Sequence, residues 1–96
     1  MNIQHLSCEQ VKTAVNKGAQ LLDVRSPQEF TQDALPNALN IPIQQLPSLL
    51  QCIDASQPIP TYCASGQRSE MAAQFLRKHG YTKVTNIGSG TRYLAC

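Results

Sequence analysis

Short apolar runs alternate along this chain with segments in which apolar residues recur at helical spacing. The runs are bounded by proline, glycine or polar residues, a pattern typical of buried strands. They predict strands over residues 19–24, 37–43, 59–63 and 83–88, with a short edge strand at 2–6.

The segments between these runs carry the capping residues and apolar stripes of helices. Ser7 opens a capping-box pattern, and Gly18 stands where the helix that follows should end. Ser26, Pro27 and Glu29 begin a second, short helix. Two further helices are predicted from apolar stripes, one through Leu46, Leu49, Leu50 and Ile53 and one through Met71, Ala72, Phe75 and Leu76.

Strands that alternate with helices predict an α/β fold, here a small central parallel sheet of about five strands with helices on both faces. No repeat, low-complexity tract or linker interrupts the pattern, so residues 1–96 are expected to form a single domain. In such sheets ligands bind beyond the carboxyl ends of the strands. The strand predicted at 59–63 ends on Cys63, which makes this residue a candidate for chemistry.

Composition and charge narrow the possible classes of function. Of the 96 residues, 42% are hydrophobic and 15% are charged, which suits a folded chain rather than a disordered one. A net charge of +2 without runs of lysine or arginine argues against a nucleic-acid surface and still suits a small anionic substrate. Neither a signal peptide nor an apolar segment of about 18 residues is recognisable, so we expect a cytoplasmic protein without a membrane partner.

Four cysteines, at positions 8, 52, 63 and 96, show no C-x-x-C pair and no metal-ligand spacing with the two histidines. In a reducing compartment we expect four free thiols. Cys8 and Cys52 lie on or near apolar helix faces, where we expect them to pack, and the terminal Cys96 is a candidate for adventitious disulfides. We expect His5 and His79 not to be ligands, and no metal or organic cofactor is implied.

The loop that follows Cys63 combines several features that favour an anion. Gly66 permits a tight turn and a close approach of the backbone to a ligand. Backbone N–H groups of such a loop form an anion-binding nest, and a helix N-terminus near Ser69 adds partial positive charge. Arg68 adds a permanent cation at the rim. Because each feature favours the thiolate, we predict that Cys63 is an activated nucleophile.

These residues resemble the active-site loop of rhodanese-type sulfurtransferases, and the similarity extends over nearly the whole chain. It is carried by the segments LLDVRSPQEF, ALNIPI and CASGQRS, at residues 21–30, 38–43 and 63–69, and by the run at 68–90. The resemblance implies that Cys63 takes a sulfane sulfur from a donor such as thiosulfate, carries it as a persulfide and passes it to cyanide or a thiol. It also implies that Arg68 orients the anionic donor. The persulfide charge would be held by the loop formed by Ala64, Ser65, Gly66, Gln67, Arg68 and Ser69.

The chain departs from the family pattern in two places. Residues 33–38 read DALPNA, without the two glycines and the histidine that the family often has before its Asn-Ile-Pro stretch. The tryptophan common near the family's C-terminus is absent, and Tyr93 stands in roughly its place.

Asp23 and Arg25 are assigned a supporting role, because an acid and a base at a strand end usually form a structural ion pair that braces neighbouring loops.

Three alternatives stay open at this point. Cysteine phosphatases and arsenate reductases have five residues between cysteine and arginine, whereas here Arg68 follows Cys63 after four, and Ser69 occupies the phosphatase arginine position. Rhodanese-like domains also serve as interaction modules, usually after losing the cysteine. The third alternative is a relay of sulfur between two proteins. The sequence does not determine the sulfur donor, the acceptor or the oligomeric state.

Overall fold

Four parallel strands form the sheet at the centre of the computed structural model, which describes residues 3–93. The strands are β1 (Leu22–Asp23), β2 (Leu39–Asn40), β3 (Ile59–Cys63) and β4 (Val84–Ser89). Their order is β2-β1-β3-β4, and every neighbouring pair is parallel. The prediction of an α/β fold around a parallel sheet is confirmed.

The edge strand predicted at 2–6 is not formed over the part of it that is described, residues 3–6. Gln4 donates its backbone N–H to the Asn86 carbonyl oxygen at 2.8 Å, and the N–H of Leu6 then bonds back to the Gln4 carbonyl at 3.0 Å. A single bond followed by a tight turn does not make a strand ladder. Within residues 3–93 the sheet therefore has four strands, and the predicted number of about five was too high because it included this edge strand.

Two of the helices begin where their capping residues predict, while the helix predicted to start near Ser69 begins two residues earlier, at Gln67. The described α-helices are α1 (Cys8–Asn16), α2 (Pro27–Gln32) and α3 (Gln67–Lys78). In α1 the Ser7 hydroxyl oxygen accepts from the Gln10 backbone, while the Gln10 side chain accepts from the Ser7 backbone. Ser26 and Glu29 repeat this reciprocal arrangement in α2, which places the Glu29 carboxylate at the start of that helix.

The α-helix predicted through Leu46 and Leu49 was wrong in type. Residues Ile43–Cys52 form a 3₁₀ segment that is kinked at Leu49, where φ is −119° and ψ is 18°. Pro47 lies inside this segment and has no N–H to donate, so it cannot join a regular α-helical ladder. Leu46 and Ile53 are nevertheless buried, so the predicted apolar stripe packs as expected.

Apolar clusters cover both faces of the sheet, as the sequence predicts. One cluster lies under α3 and the 3₁₀ segment, and the other lies under α1. Along β3, Ile59 and Cys63 belong to the first cluster, whereas Tyr62 belongs to the second. This alternation is the two-residue period of a strand. It turns the Cys63 side chain toward the face that α3 covers.

The other cysteines differ in part from their predictions. Cys8 is disulfide-bonded, so the expectation of four free thiols was wrong for this residue. Cys52 and Cys63 are free, but Cys52 is exposed rather than packed as predicted, because it ends the irregular 3₁₀ segment. Cys96 lies outside the described residues.

Between residues 3 and 93 no helix is long and apolar enough to cross a bilayer.

Candidate active site

Cys63 is the last residue of β3, and its sulfur accepts hydrogen bonds from the loop that follows. The backbone N–H of Gly66 donates to Cys63 Sγ at 2.9 Å, and that of Ser69 donates at 3.4 Å. The Ser69 hydroxyl oxygen also lies 3.4 Å from Sγ. These donors converge on one sulfur atom at the N-terminus of α3, which is where a negative charge is stabilised.

Gly66 gives the loop its curvature. Its φ of 98° lies in the left-handed region that favours glycine. The space beside it is also filled, since a Cβ built at Gly66 would lie 2.9 Å from Cδ1 of Ile3. The N-terminal segment therefore packs against the back of the cysteine loop, a contact that the spacing of residues along the sequence does not reveal.

The surroundings of Cys63 act on its thiol in opposite directions. Burial raises the pKa of Cys63, since only 1% of the residue is exposed. The hydroxyl and backbone N–H of Ser69, together with the backbone N–H groups of Ser65 and Gly66, lower it. The hydrogen bonds outweigh the burial, and the net pKa of Cys63 lies below that of an ordinary cysteine. This direction agrees with the activated thiol that the sequence predicts.

The rim of the loop is open to solvent. Ala64, Ser65 and Gln67 are exposed, while Gly66 and Ser69 are buried beside the sulfur. The exposed residues of the loop thus surround a sulfur that is itself buried.

Arg68 is engaged by Glu29, a contact that the sequence did not predict. Its Nη1 lies 2.7 Å from Glu29 Oε1, and its Nη2 lies 2.9 Å from Oε2. This is a two-point pairing of a guanidinium with a carboxylate, the geometry that favours arginine over lysine. The Arg68 hydrogen bond is the main cause that lowers the pKa of Glu29 to about 2. The rim cation that the sequence predicted is therefore already neutralised by an acid from α2.

Asp23 and Arg25 form the ion pair expected from the sequence. Arg25 donates to both Asp23 oxygens through Nε, at 3.1 Å, and to Oδ2 through Nη2, at 2.9 Å. It also bonds Asp33 beyond the end of α2 through Nη1 at 2.8 Å. Asp23 is fully buried and Arg25 is 6% exposed. The pair therefore joins the end of β1 to the segment that follows α2, which braces the side of the site that carries Glu29.

Asn86 organises the loop from the neighbouring strand and was not predicted from the sequence. Its Nδ2 donates to the Gly66 carbonyl at 3.2 Å and to Glu70 Oε1 at 3.1 Å. Its Oδ1 accepts from the Ser69 hydroxyl at 2.7 Å and from the Gly88 backbone at 2.9 Å. Asn86 is 1% exposed, and both donors and both acceptor positions of its amide are used.

A register shift in β4 accompanies this arrangement. Thr61 of β3 faces Asn86, but the next residue, Tyr62, faces Gly88, so Ile87 is an additional residue in β4. Bulges of this kind re-aim side chains near functional sites. The only sequence signal was an asparagine within an apolar strand, a residue depleted from strands.

Among residues 3–93 no group of three or more His, Cys, Asp or Glu side chains could hold a metal ion.

The family model described as "Rhodanese-like domain" matches residues 7–92 of this chain. Among curated proteins, "Uncharacterized protein YqhL" of Bacillus subtilis is 43% identical over 72 residues, which cover 75% of this chain and 57% of that protein. A protein named "Sulfurtransferase" from Allochromatium vinosum is 36% identical over 70 residues, covering 73% of this chain and 65% of the relative. The chain thus spans less than two thirds of the length of these relatives.

Solved structures share the fold over nearly the whole chain. The human single-domain sulfurtransferase TSTD1 superposes with a TM-score of 0.77 at 28% identity, covering 99% of this chain and 96% of its own.

Proposed function

We propose that this chain, which belongs to the rhodanese-like domain family, is a sulfurtransferase that carries sulfane sulfur as a persulfide on Cys63. The observation that supports this most directly is the set of donors around one sulfur atom. The N–H groups of Gly66 and Ser69 point at Cys63 Sγ, and the pKa of the thiol is lowered. Relatives named as sulfurtransferases support the reaction class.

The first half-reaction loads the sulfur. The Cys63 thiolate attacks the outer sulfur of thiosulfate, a new S–S bond forms, and the S–S bond of the donor breaks. Its electron pair leaves with sulfite, so that Cys63–S⁻ and S₂O₃²⁻ give Cys63–S–S⁻ and SO₃²⁻. The thiolate is the reacting form of a cysteine, so a lowered pKa increases the fraction that is ready to attack.

The second half-reaction passes the sulfur on. A nucleophile such as cyanide attacks the outer sulfur of the persulfide, the S–S bond breaks, and the electron pair returns to Cys63 as the thiolate. Between the two steps the negative charge lies on the outer sulfur, where we expect the N–H groups of residues 64–69 to stabilise it. Donors fixed in advance around a developing charge stabilise it without reorganisation.

A phosphatase is disfavoured by the position of Ser69. A cysteine phosphatase needs an arginine there to hold the phosphoryl group, but Ser69 is fully buried and its hydroxyl is bonded to Asn86. The guanidinium of Arg68, one residue earlier, is paired with Glu29. We therefore expect no useful hydrolysis of a phosphotyrosine mimic.

The physiological acceptor is proposed to be a thiol, of a small molecule or of a protein. The exposed rim formed by Ala64, Ser65 and Gln67 supports access by either. A relay between proteins would load faster from a cysteine desulfurase than from thiosulfate, and an interaction module would not load at all. The cytoplasm stays the location predicted by the sequence.

Intact mass spectrometry tests the proposal. The reduced protein is incubated with thiosulfate, desalted and weighed, together with Cys63→Ser and Cys52→Ser variants. Cys52 is the matched control because it is the exposed free cysteine of the described chain. We expect one added sulfur atom on the parent and on Cys52→Ser, removed by cyanide, and none on Cys63→Ser. An equal gain on Cys63→Ser would overturn the assignment.

A further inference from the structure

The ion pair between Arg68 and Glu29 lies at the rim of the cysteine loop and bears on which donor the site accepts. Both guanidinium Nη atoms are taken up by the two carboxylate oxygens, at 2.7 and 2.9 Å. The side chains are 36% and 33% exposed, so the pair is reachable by solutes. An incoming anion that needed the Arg68 guanidinium would have to displace Glu29 from it.

A second guanidinium, that of Arg25, is engaged in the same way. Arg25 contacts the carboxylates of Asp23 and Asp33 and is 6% exposed, so it cannot turn toward a ligand without leaving both acids. Arg92, which follows β4, bonds its Nη1 to Nδ1 of His5 in the N-terminal segment. The loop therefore receives its positive potential from its own N–H groups and from the start of α3, since the guanidinium groups of Arg68 and Arg25 are paired with acids.

Glu29 stays ionised under working conditions. Its pKa is about 2, mainly because of the Arg68 hydrogen bond and then the Ser26 backbone N–H. The carboxylate is also held in place by the capping box of α2. A dianionic donor near the loop thus meets an arginine whose charge is already neutralised, whereas a donor with less charge depends less on that cation.

We propose that Glu29 is a donor-specificity residue: by holding Arg68 it disfavours dianionic donors such as thiosulfate and makes the persulfide of a thiol, R–S–SH, the preferred donor for Cys63. This rests on the proposed sulfur-transfer function. The thiolate of Cys63 attacks the outer sulfur of R–S–SH, and a new S–S bond forms as the donor S–S bond breaks. The electron pair and the negative charge leave with RS⁻, so that Cys63–S–SH is formed and the charge is conserved.

Glu29→Gln is the informative variant because it removes the charge and keeps the shape. Its amide oxygen can still accept the Ser26 N–H, so the capping box is retained. We expect the KM for thiosulfate to fall about threefold to tenfold, because Arg68 is then free to form charge-assisted hydrogen bonds with this anion. Loading by cysteine persulfide should change less than about twofold. Asp33→Asn is the matched control, since it removes one carboxylate from Arg25 and leaves Arg68 untouched.

Anion binding is measured separately from sulfur transfer. Sodium sulfate, an inert dianion, is titrated against the alkylation of Cys63 by iodoacetamide. We expect protection of Cys63 at severalfold lower sulfate in Glu29→Gln than in the parent, and no such gain when Arg68→Gln is added. Glu29→Asp, which keeps the charge but shortens the reach, is a second variant and should give an intermediate protection.

Two results would overturn this specificity role. One is an unchanged or higher thiosulfate KM in Glu29→Gln with unchanged sulfate protection. The other is an equal gain in Asp33→Asn, which would reduce the effect to net charge. Failure of both thiosulfate and cysteine persulfide to load the parent would instead refute the proposed function, while the sulfate titration would still report on Glu29.

Discussion

The Ser69 hydroxyl lies 2.7 Å from Asn86 Oδ1 and 3.4 Å from Cys63 Sγ, so one hydroxyl connects the Cys63 sulfur to a buried amide on the next strand. Its single proton can be given to only one of these two neighbours. Asn86 Oδ1 also accepts the Gly88 N–H and stays hydrogen-bonded when Ser69 turns to the sulfur. The hydroxyl is thus available to the thiolate without leaving a buried acceptor unpaired.

Replacing Ser69 by alanine should raise the pKa of Cys63. The Ser69 side chain is the largest of the hydrogen-bond contributions that lower it, although burial acts in the opposite direction. Since a hydrogen bond to the thiolate favours the charged form, its loss favours the neutral thiol. We expect the pH profile of iodoacetamide alkylation to move to higher pH. An unmoved profile would show that the backbone donors alone set the pKa.

Asn86→Asp should also affect the Cys63 thiol, through Ser69, which lies between Asn86 and the sulfur. The aspartate keeps the shape but loses both donors, so the Gly66 carbonyl is left without its partner and a charge is added beside the Glu70 carboxylate. We expect a loss of about 1–3 kcal/mol in the free energy of unfolding, measured by urea titration, and a raised pKa of Cys63.

Asn40→Asp is the control for this substitution. Asn40 donates to the carbonyls of Asp23 and Arg25, away from the cysteine loop. It should lower stability without moving the alkylation profile. If both variants moved the profile equally, the positioning role of Asn86 would be refuted.

Gly66→Ala should be more damaging than Gly80→Ala. Both glycines have positive φ, 98° and 90°, so both substitutions carry the left-handed penalty of about 1–2 kcal/mol. At Gly66 the new Cβ would lie 2.9 Å from Ile3, whereas at Gly80 no atom of the described residues 3–93 would lie within 4 Å of it. We expect a larger loss of unfolding free energy for Gly66→Ala, partly recovered by Ile3→Ala. Equal losses would mean that the Ile3 contact contributes nothing.

The pair between Glu29 and Arg68 predicts a defined pH dependence of stability. The folded pKa of Glu29, about 2, lies below its ordinary value of 4.5, because of the Arg68 hydrogen bond. A depressed carboxylate pKa stabilises the fold above pH 4.5, and this contribution is lost as the pH falls toward 2. The free energies of unfolding of the parent and of Glu29→Gln should therefore differ at pH 7, approach each other below pH 4.5 and converge only as the pH reaches about 2. A constant difference across this range would contradict the pairing.

The local elements could be read from the residues because their causes are local. Ser7 and Ser26 begin helices where each side chain can bond the backbone three residues later, and Cys63 could be placed at a strand end by the apolar run before it. The 3₁₀ segment was misread because the apolar stripe of Leu46 and Ile53 suits either helix type, and the kink at Leu49 is decided by packing and by Pro47.

Taken alone, the sequence determined the α/β class and the position of the cysteine loop, since these depend on short-range spacing and residue type. Only the tertiary structure decided what the loop is joined to. Glu29 pairs with Arg68 across 39 residues, and Asn86 reaches Gly66 across 20. Contacts at such separations depend on how parallel strands are ordered and on the one-residue shift in β4. No local pattern records either, so the sequence could place the cysteine loop but not the residues of other elements that contact it.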